Sequence, residues 1–328
     1  METNKLQKVS SITKKMLVGL LGAFLLLFLL FHMCANLLIL RADDGTAYSA
    51  FCHFMGTNIF VKIFEGVLLA VLVLHICLTL YLWLQNRRAR GTERYHQPSK
   101  TKTATGSKMM ALTGILIFAF LVMHFFNFWL IKMDVVKGTY MVKSEAMQSE
   151  EIMSLQNASQ QYQMTPDEFI AMYEQQVQAN AGQLDSATAA MVNENLAKLK
   201  KAAPAAEFMT RVVDADQDDA TVSKDGKWIK KINKEDKKML EEALDCEVEP
   251  DFYYQARALF KNALYCIVYL LAFAFLWIHL RHAFESVFQS WGLENYKYYP
   301  IIKFCAILYA WVICLGFALI PVYVWLFI

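Results

Sequence analysis

The sequence predicts an all-α membrane protein: a bundle of five transmembrane helices with a helical extracytoplasmic insertion between spans three and four. Hydrophobic residues make up 56% of the 328 residues and charged residues only 19%, which is typical of membrane proteins. Five apolar runs are each long enough to cross about 30 Å of hydrocarbon. Residues 132–256 differ, because they contain 23 of the 30 acidic side chains and 14 of the 32 basic ones. We therefore expect this region to lie outside the lipid.

The five apolar runs are residues 16–40, 59–84, 109–131, 259–288 and 301–327. Backbone groups in lipid must be hydrogen-bonded internally, so each run is predicted to be a helix. The first run is too long for a cleavable signal peptide, and we expect it to remain as the first span. Arg281, His282 and Glu285 interrupt the fourth run, so its lipid-crossing part is expected to end near Leu280. The predicted domains are residues 1–131 (spans one to three), 132–255 (the insertion) and 256–328 (spans four and five).

The connections between spans predict the orientation of the chain. Basic residues cluster before the first span and between spans two and three, whereas the first connection contains Arg41, Asp43 and Asp44. Cytoplasmic loops of membrane proteins are enriched in Lys and Arg. The N-terminus is therefore predicted to be cytoplasmic and the C-terminus to lie outside. In this orientation the insertion is expected to cover the outer face of the bundle.

The insertion is acidic and has helical patterns of its own. Thr165 precedes a proline and is followed by Glu168, which together indicate the N-cap, first-turn proline and capping-box glutamate of a helix over residues 166–179. Further helices are predicted over residues 186–202 and 234–244. The insertion is thus predicted to be largely helical.

Two of the seven cysteines are predicted to lie on the outer side of the membrane. Cys52 is in the first connection, and Cys246 is in the insertion. A disulfide can persist in an oxidising compartment. A bond between these two residues, which would fasten the insertion to the first connection, is therefore a hypothesis.

Four histidines occur singly in four different spans: His32, His75, His124 and His279. His32 and His124 lie 17 and 16 residues after the last lysine before their outward-running spans. In their inward-running spans, His75 lies 12 residues before Arg87 and His279 lies 12 residues before Trp291. The histidines therefore form two pairs matched in depth. We call His32 and His124 the outer pair, and His75 and His279 the inner pair.

Histidines within a membrane are costly and usually functional. Structural zinc prefers clustered Cys or His ligands, but the cysteines include no C-x-x-C pair, and the H-E-x-x-H pattern of metallopeptidases is absent. Ligation of haem by two histidines needs one histidine from each of two helices and an apolar slot, which Gly22, Gly66 and Gly114 could open. Two b-type haems are therefore predicted. A transporter in which the histidines relay protons is the alternative from another class.

Several motifs around these histidines resemble the five-span di-haem cytochrome b subunit of succinate:quinone oxidoreductases, the enzymes that include succinate dehydrogenases and fumarate reductases. The similarity extends over about two-thirds of the chain and depends on the combination of motifs. They are Ser10-Ser11-Ile12-Thr13-Lys14-Lys15, His32-Met33-Cys34-Ala35-Asn36-Leu37, His75 with Gln85-Asn86-Arg87-Arg88-Ala89-Arg90 and Tyr95, Thr113-Gly114 with His124 and Asn127-Phe128-Trp129, and His279-Leu280-Arg281-His282 with Ser286 and Ser290-Trp291-Gly292.

The resemblance implies that His32 and His124 ligate the iron of an outer haem, and that His75 and His279 ligate that of an inner haem. It implies a flavoprotein subunit and an iron–sulfur subunit on the cytoplasmic face, menaquinone as the electron-transport substrate, and location in a bacterial cytoplasmic (inner) membrane. The chain would then be part of an enzyme whose dicarboxylate chemistry lies on another subunit. The sequence itself has no dinucleotide-binding fingerprint and no cysteine cluster for iron–sulfur centres. A cytochrome b of a hydrogenase or formate dehydrogenase is an alternative that keeps haem.

Two further sets of candidates follow. A quinone needs an apolar slot with a proton donor and acceptor near a haem edge; the outer candidates are Asp43, Asp44, Tyr48, His53 and Glu65. The candidates for contact with the inner haem propionates are Lys14, Arg87, Arg88, Arg281 and His282. His282 follows His279 by three residues, so a one-turn slip would exchange their roles. Matched depth and the resemblance both favour His279 as the ligand.

Overall fold

A computed structural model describes residues 10–43, 45–91, 105–143, 146, 148–183, 185–215, 220–222 and 227–327. It confirms the all-α class, with five helices that are long and apolar enough to cross a membrane and a helical insertion between the third and fourth. The chain divides into two compact units, Phe125–Gln255 and the remainder, which are described separately. Among the predicted site residues, Asp44 lies outside the described residues.

In chain order the helices are α1 (Ser11–Asn36), α2 (Thr46–Thr57), α3 (Ile59–Arg90), α4 (Thr105–His124), α5 (Glu150–Tyr162), α6 (Pro166–Ala179), α7 (Ser186–Ala215), α8 (Lys234–Leu244), α9 (Phe252–Phe260), α10 (Ala263–Ser290) and α11 (Tyr299–Phe327). A 3-10 turn, Leu37–Leu40, continues α1. A π-helical turn, Phe125–Trp129, and a last turn, Leu130–Lys132, continue α4. The candidate membrane spans are α1, α3, α4, α10 and α11.

Polar side chains define where three of the spans begin. The Ser10 hydroxyl accepts the Thr13 N–H at the start of α1, and Asn58 Oδ1 accepts the Phe60 N–H at the start of α3. Asn262 Oδ1 accepts the Leu264 N–H in the same way at the start of α10. The predicted fourth span is therefore divided, because its first residues belong to α9 and the membrane-length helix begins only after this cap.

Within the bundle, α10 occupies the central position, because it packs against α11, α4 and α1. Helix α1 also packs against α3 and α11. The helices that carry each histidine pair, α1 with α4 and α3 with α10, are not among the closely packed helix pairs of the described residues. Their backbones therefore leave room for side chains, or for a flat ligand, between them.

The insertion combines helices with a small antiparallel sheet that the sequence analysis did not predict. The strands are β1 (Gly138–Lys143), β2 (Ala220–Val222), β3 (Lys227–Ile232) and β4 (Glu249–Pro250), arranged in the order β2-β3-β1-β4. In the β1–β3 pair, Gly138 lies opposite Ile232 and Lys143 opposite Lys227. A core beneath the sheet includes Ile152, Leu155 and Leu240, which are completely buried. The insertion therefore has its own hydrophobic core.

The two ends of the insertion are joined by hydrogen bonds. Thr139 donates from both N and Oγ1 to Gln255 Oε1, at 3.1 and 2.9 Å, and the Asp251 N–H donates to Thr139 O at 2.8 Å. A domain whose ends are adjacent can be inserted into another chain without disturbing it. This arrangement explains how a long insertion can sit between two spans.

A polar cluster supports the beginning of the insertion. The Tyr140 hydroxyl donates to Asp134 Oδ1 at 2.7 Å, and Lys237 Nζ forms an ion pair with Asp134 Oδ2 at 2.8 Å. Burial of Tyr140, together with its hydrogen bond to Asp134, raises the pKa of this phenol well above its ordinary value. The phenol is therefore a constant hydrogen-bond donor at physiological pH.

The predicted cysteine pair falls in two different units of the chain. Cys52 lies in α2, and Cys246 follows α8 in the insertion; both side chains are partly buried. The disulfide between them stays a prediction.

Candidate functional site

The two imidazole rings of the outer pair lie next to each other. His32 on α1 and His124 at the end of α4 have ring centroids 6.1 Å apart and ring planes at 83°. Metal–imidazole bonds of about 2.0–2.1 Å place the centroids of two rings that ligate one metal from opposite sides roughly 6.3 Å apart. The spacing of the outer pair is therefore compatible with one metal between the rings.

Aromatic side chains surround the outer pair. Phe28 stacks on His32, with ring centroids 5.2 Å apart, and Phe120 stacks on His124 at 5.8 Å. Phe317 lies against His32 on another side, with a centroid distance of 5.6 Å. This apolar, π-rich environment is suited to the face of a flat aromatic ligand.

Both rings of the outer pair have a polar partner at Nδ1. The Tyr269 hydroxyl lies 3.4 Å from His124 Nδ1, and Asn36 Nδ2 lies 3.2 Å from His32 Nδ1. A hydroxyl can accept a hydrogen bond from Nδ1–H and so allow Nε2 to ligate a metal. An amide nitrogen only donates, so ligation through Nε2 requires His32 to adopt its other tautomer and the contact with Asn36 to change.

The inner pair consists of His75 on α3 and His279 on α10, which are close enough for an electrostatic interaction between their rings. Glycines face both rings: a Cβ atom at Gly22 would lie 3.7 Å from His75 Cε1, and one at Gly114 would lie 3.7 Å from His279 Cε1. The third glycine of the sequence prediction, Gly66, faces open space. Two of the three glycines predicted to open a slot therefore lie beside the histidines.

The two inner rings differ at Nδ1. The Thr113 hydroxyl oxygen lies 3.2 Å from His279 Nδ1, whereas His75 Nδ1 is buried and has no hydrogen-bond partner. A buried polar atom without a partner is uncommon in proteins. The Nδ1 atom of His75 is thus buried without the hydrogen bond that such an atom usually makes.

These residues fit haem better than a bare metal ion. Among the described residues, no three His, Cys, Asp or Glu side chains form a group that could hold a metal ion. Two histidines are sufficient for haem iron, because the porphyrin supplies the remaining ligands in its plane. The glycines beside the two inner rings and the separation of the histidine-bearing helices are compatible with a flat macrocycle.

The propionate candidates differ in exposure. Lys14 is only 5% exposed, and its Nζ lies 5.2 Å from the centroid of the Tyr81 ring. Arg87 and Arg88 are exposed at the end of α3. Arg281 and His282 are half-buried on α10, with the Arg281 guanidinium 5.9 Å from the Trp277 ring. No carboxylate of the described chain forms an ion pair with Lys14, so this buried cation is the strongest candidate for an anionic ligand group.

An open apolar groove with a volume of about 330 Å³ lies between α1, α2 and α3. Phe31 of α1, Met55 of α2, and Phe60, Val61 and Phe64 of α3 line this groove. Phe31 is the neighbour of His32 along α1, and none of the described quinone candidates is among the lining residues.

The groove separates the candidates into two groups. His53 and Glu65 are close in sequence to its lining residues on α2 and α3. Tyr48 is buried and donates from its hydroxyl to Asn36 Oδ1 at 2.9 Å, which connects α2 to the residue beside His32. Asp43 forms an ion pair with Arg41 at 3.2 Å in the connection before α2. Along the chain, His53 and Glu65 are therefore the candidates closest to the lining residues.

The fold and the site define a multi-pass membrane protein whose apolar helices carry two pairs of intramembrane histidines. Comparison of the chain with protein-family models, with curated proteins and with solved structures gave no match. The resemblance to the cytochrome b subunits therefore depends on the sequence motifs given above and stays a prediction.

Sequence patterns alone do not assign roles to Asn36, Thr113 and Tyr269, which contact the histidine rings. Asn36 could have been found, because it lies four residues after His32 on the same helix and so on the same face. Thr113 and Tyr269 could not, because each contacts a histidine of another helix.

Proposed function

We propose that this chain is the di-haem cytochrome b membrane subunit of a succinate:quinone oxidoreductase. It carries electrons between a cytoplasmic flavoprotein and iron–sulfur pair and membrane menaquinone. The outer pair holds one b-type haem, and the inner pair holds the other. When bound, the haems supply one-electron redox chemistry, and the chain positions them and excludes water from them.

The single observation that carries this proposal is the arrangement of the outer pair. Two imidazoles from different apolar helices lie at the centroid spacing of two axial ligands, with aromatic side chains around them. A proton relay, the alternative from another class, needs a continuous polar path through the span. The aromatic surroundings of the outer pair favour a flat apolar ligand over such a path.

The groove beside Phe31 supports menaquinone as the electron-transport substrate. Its lining is apolar, as a naphthoquinone ring and isoprenoid tail require, and it includes Phe31, the residue before His32. His53 and Glu65 are the groups that would exchange protons with the quinone there. In the proposed orientation this groove opens on the outer side of the membrane.

A spectrum of the purified protein tests the haem assignment. We expect a reduced-minus-oxidised spectrum with b-type haem bands and two haems per chain. A colourless protein that transports a solute would contradict the proposal and support the proton-relay alternative.

The partners are tested by purification of the tagged chain from its native membrane under mild detergent. Co-purification of a flavin-containing subunit and an iron–sulfur subunit with succinate dehydrogenase or fumarate reductase activity supports the proposal. Co-purification with a hydrogenase or formate dehydrogenase activity would keep the haems and overturn the assigned complex.

A further inference from the structure

The hydroxyl of Thr113 has two different hydrogen-bonding roles at once. Thr113 is completely buried on α4. Its Oγ1 donates to the carbonyl oxygen of Met109, one turn earlier, at 3.0 Å. The same oxygen lies 3.2 Å from His279 Nδ1, which is 166 residues away in the sequence. Because a hydroxyl has one proton and two lone pairs, the proton is used within α4 and a lone pair faces the histidine.

This arrangement favours one of the two positions for the ring proton of His279. A lone pair facing Nδ1 favours the tautomer in which Nδ1–H donates to Thr113 Oγ1. The other nitrogen, Nε2, then has its own lone pair available for a metal. The next residue, Gly114, leaves space beside the same ring, because even a Cβ there would lie 3.7 Å from His279 Cε1. Thr113 and Gly114 thus orient one ring and leave room beside it.

We infer that Thr113 is the positioning residue for the inner haem: it fixes His279 in the Nδ1–H tautomer, selects His279 rather than His282 as axial ligand, and lowers the potential of that haem. The inference rests on the proposed function. A hydrogen bond from Nδ1–H makes an imidazole a more basic ligand, which stabilises the oxidised iron. His75, the other inner ligand, has no such partner, so Thr113 provides the only hydrogen bond to an Nδ1 atom of the inner pair among the described residues.

The chain offers a matched control on α3. The Thr79 hydroxyl also donates to a carbonyl one turn earlier, that of His75, at 2.7 Å, and to Ile76 O at 3.0 Å. In the described structure it hydrogen-bonds backbone carbonyls and no ring nitrogen. Thr79→Val therefore removes the same kind of helix-internal bond to a backbone carbonyl without removing a bond to a histidine ring.

The test compares Thr113→Val, Thr113→Ser and Thr79→Val in the purified complex by redox titration of the haem bands. The titration step that disappears in His75→Ala identifies the inner haem. We expect Thr113→Val to raise the midpoint potential of the inner haem by about 30–60 mV for one electron. This shift corresponds to a roughly three- to tenfold change in the ratio of reduced to oxidised haem at a given potential. Thr113→Ser and Thr79→Val should titrate as the wild type does, and the outer haem should be unchanged in all three.

Several outcomes would overturn the inference. An inner potential in Thr113→Val equal to that of the wild type would do so, as would an equal shift in Thr79→Val. If Thr113→Val does not retain the inner haem, Thr113→Ser decides: wild-type haem content and potential support the inference, whereas loss in this variant also overturns it. Failure of the proposed function would be recognised separately, because the wild-type protein would then contain no haem.

Discussion

Around the outer pair the neighbours of the imidazole rings are aromatic, whereas around the inner pair they include glycines. Phe28 and Phe120 stack on the two outer rings, but the inner rings face positions where Gly22 and Gly114 provide no side chain. The two sites of one bundle therefore accommodate their histidine rings in two different ways. The outer rings are held by contact with flat side chains, while the inner rings are given space by the backbone.

The hydrogen-bond partners of the histidine rings also differ between the two pairs. Thr113 already presents a lone pair to His279, but the amide nitrogen of Asn36 faces His32 Nδ1 and must turn away when Nε2 ligates a metal. Each pair thus has one ring whose Nδ1 atom faces a hydroxyl, Tyr269 at His124 and Thr113 at His279. The outer pair requires a local rearrangement at Asn36, which Tyr48 also contacts.

The largest expected effect comes from removing the ligands themselves. His32→Ala and His124→Ala should each remove the outer haem and retain the inner one, and His75→Ala and His279→Ala should do the reverse, because haem iron loses an axial ligand. Haem content per chain and redox titration measure this. His53→Ala, an exposed histidine on α2, is the control and should retain both haems. Two haems in any of the four ligand variants would contradict the assignment.

Filling the glycine space should separate the two pairs next. Gly22→Leu and Gly114→Leu are expected to remove most of the inner haem and leave the outer one, because the new side chains would point at the rings of His75 and His279. Gly66→Leu is the matched control, since Gly66 faces open space. Equal haem loss in all three variants, or loss of the outer haem instead, would show that the glycines do not define the inner site.

The sequence predicted the helices of this fold more completely than its contacts. The capping box at Thr165 and Glu168 is present, and α8 has its predicted bounds. Helix α7 extends beyond its expected end at Ala202, because Pro204 is tolerated where the neighbouring Ala203, Ala205 and Ala206 are buried in the core of the insertion. Local patterns indicate where helices begin, whereas this helix continues past its predicted end through residues that are buried in the core.

The sheet and the ring contacts were missed for a common reason. Strands β1 and β3 pair across most of the insertion, and short strands with little alternation have no local pattern that identifies a distant partner. Likewise, the position of Thr113 near His279 depends on the packing of α4 on α10. Depth along a span can be counted from the sequence, whereas the face that a helix turns to its neighbour cannot be counted in this way.

A charge at the inner pair's end of the bundle should have a smaller effect than a ligand or a glycine. Lys14→Met is expected to lower the midpoint potential of the inner haem, because a buried positive charge favours the form with the extra electron. The ratio of reduced to oxidised inner haem should fall several-fold at a given potential. Lys15→Met is the control, since Lys15 is the next residue but is exposed. A lowered outer potential, with no change at the inner haem, would show that the charge of Lys14 acts on the outer haem instead.

The smallest effect is expected at the second histidine of α10. His282 lies one turn after His279, is half-buried, and would take over ligation only if the helix slipped by a turn. Thr113 contacts the ring of His279, which opposes such a slip. His282→Ala should therefore retain both haems and shift only the inner potential, by less than Lys14→Met does, because at most one propionate contact is lost. Measurement of haem content in His282→Ala beside His279→Ala decides the matter. If His282→Ala loses the inner haem and His279→Ala retains it, His282 is the ligand and His279 is not. The inner pair would then use a different face of α10 from the one that meets Thr113 and Gly114.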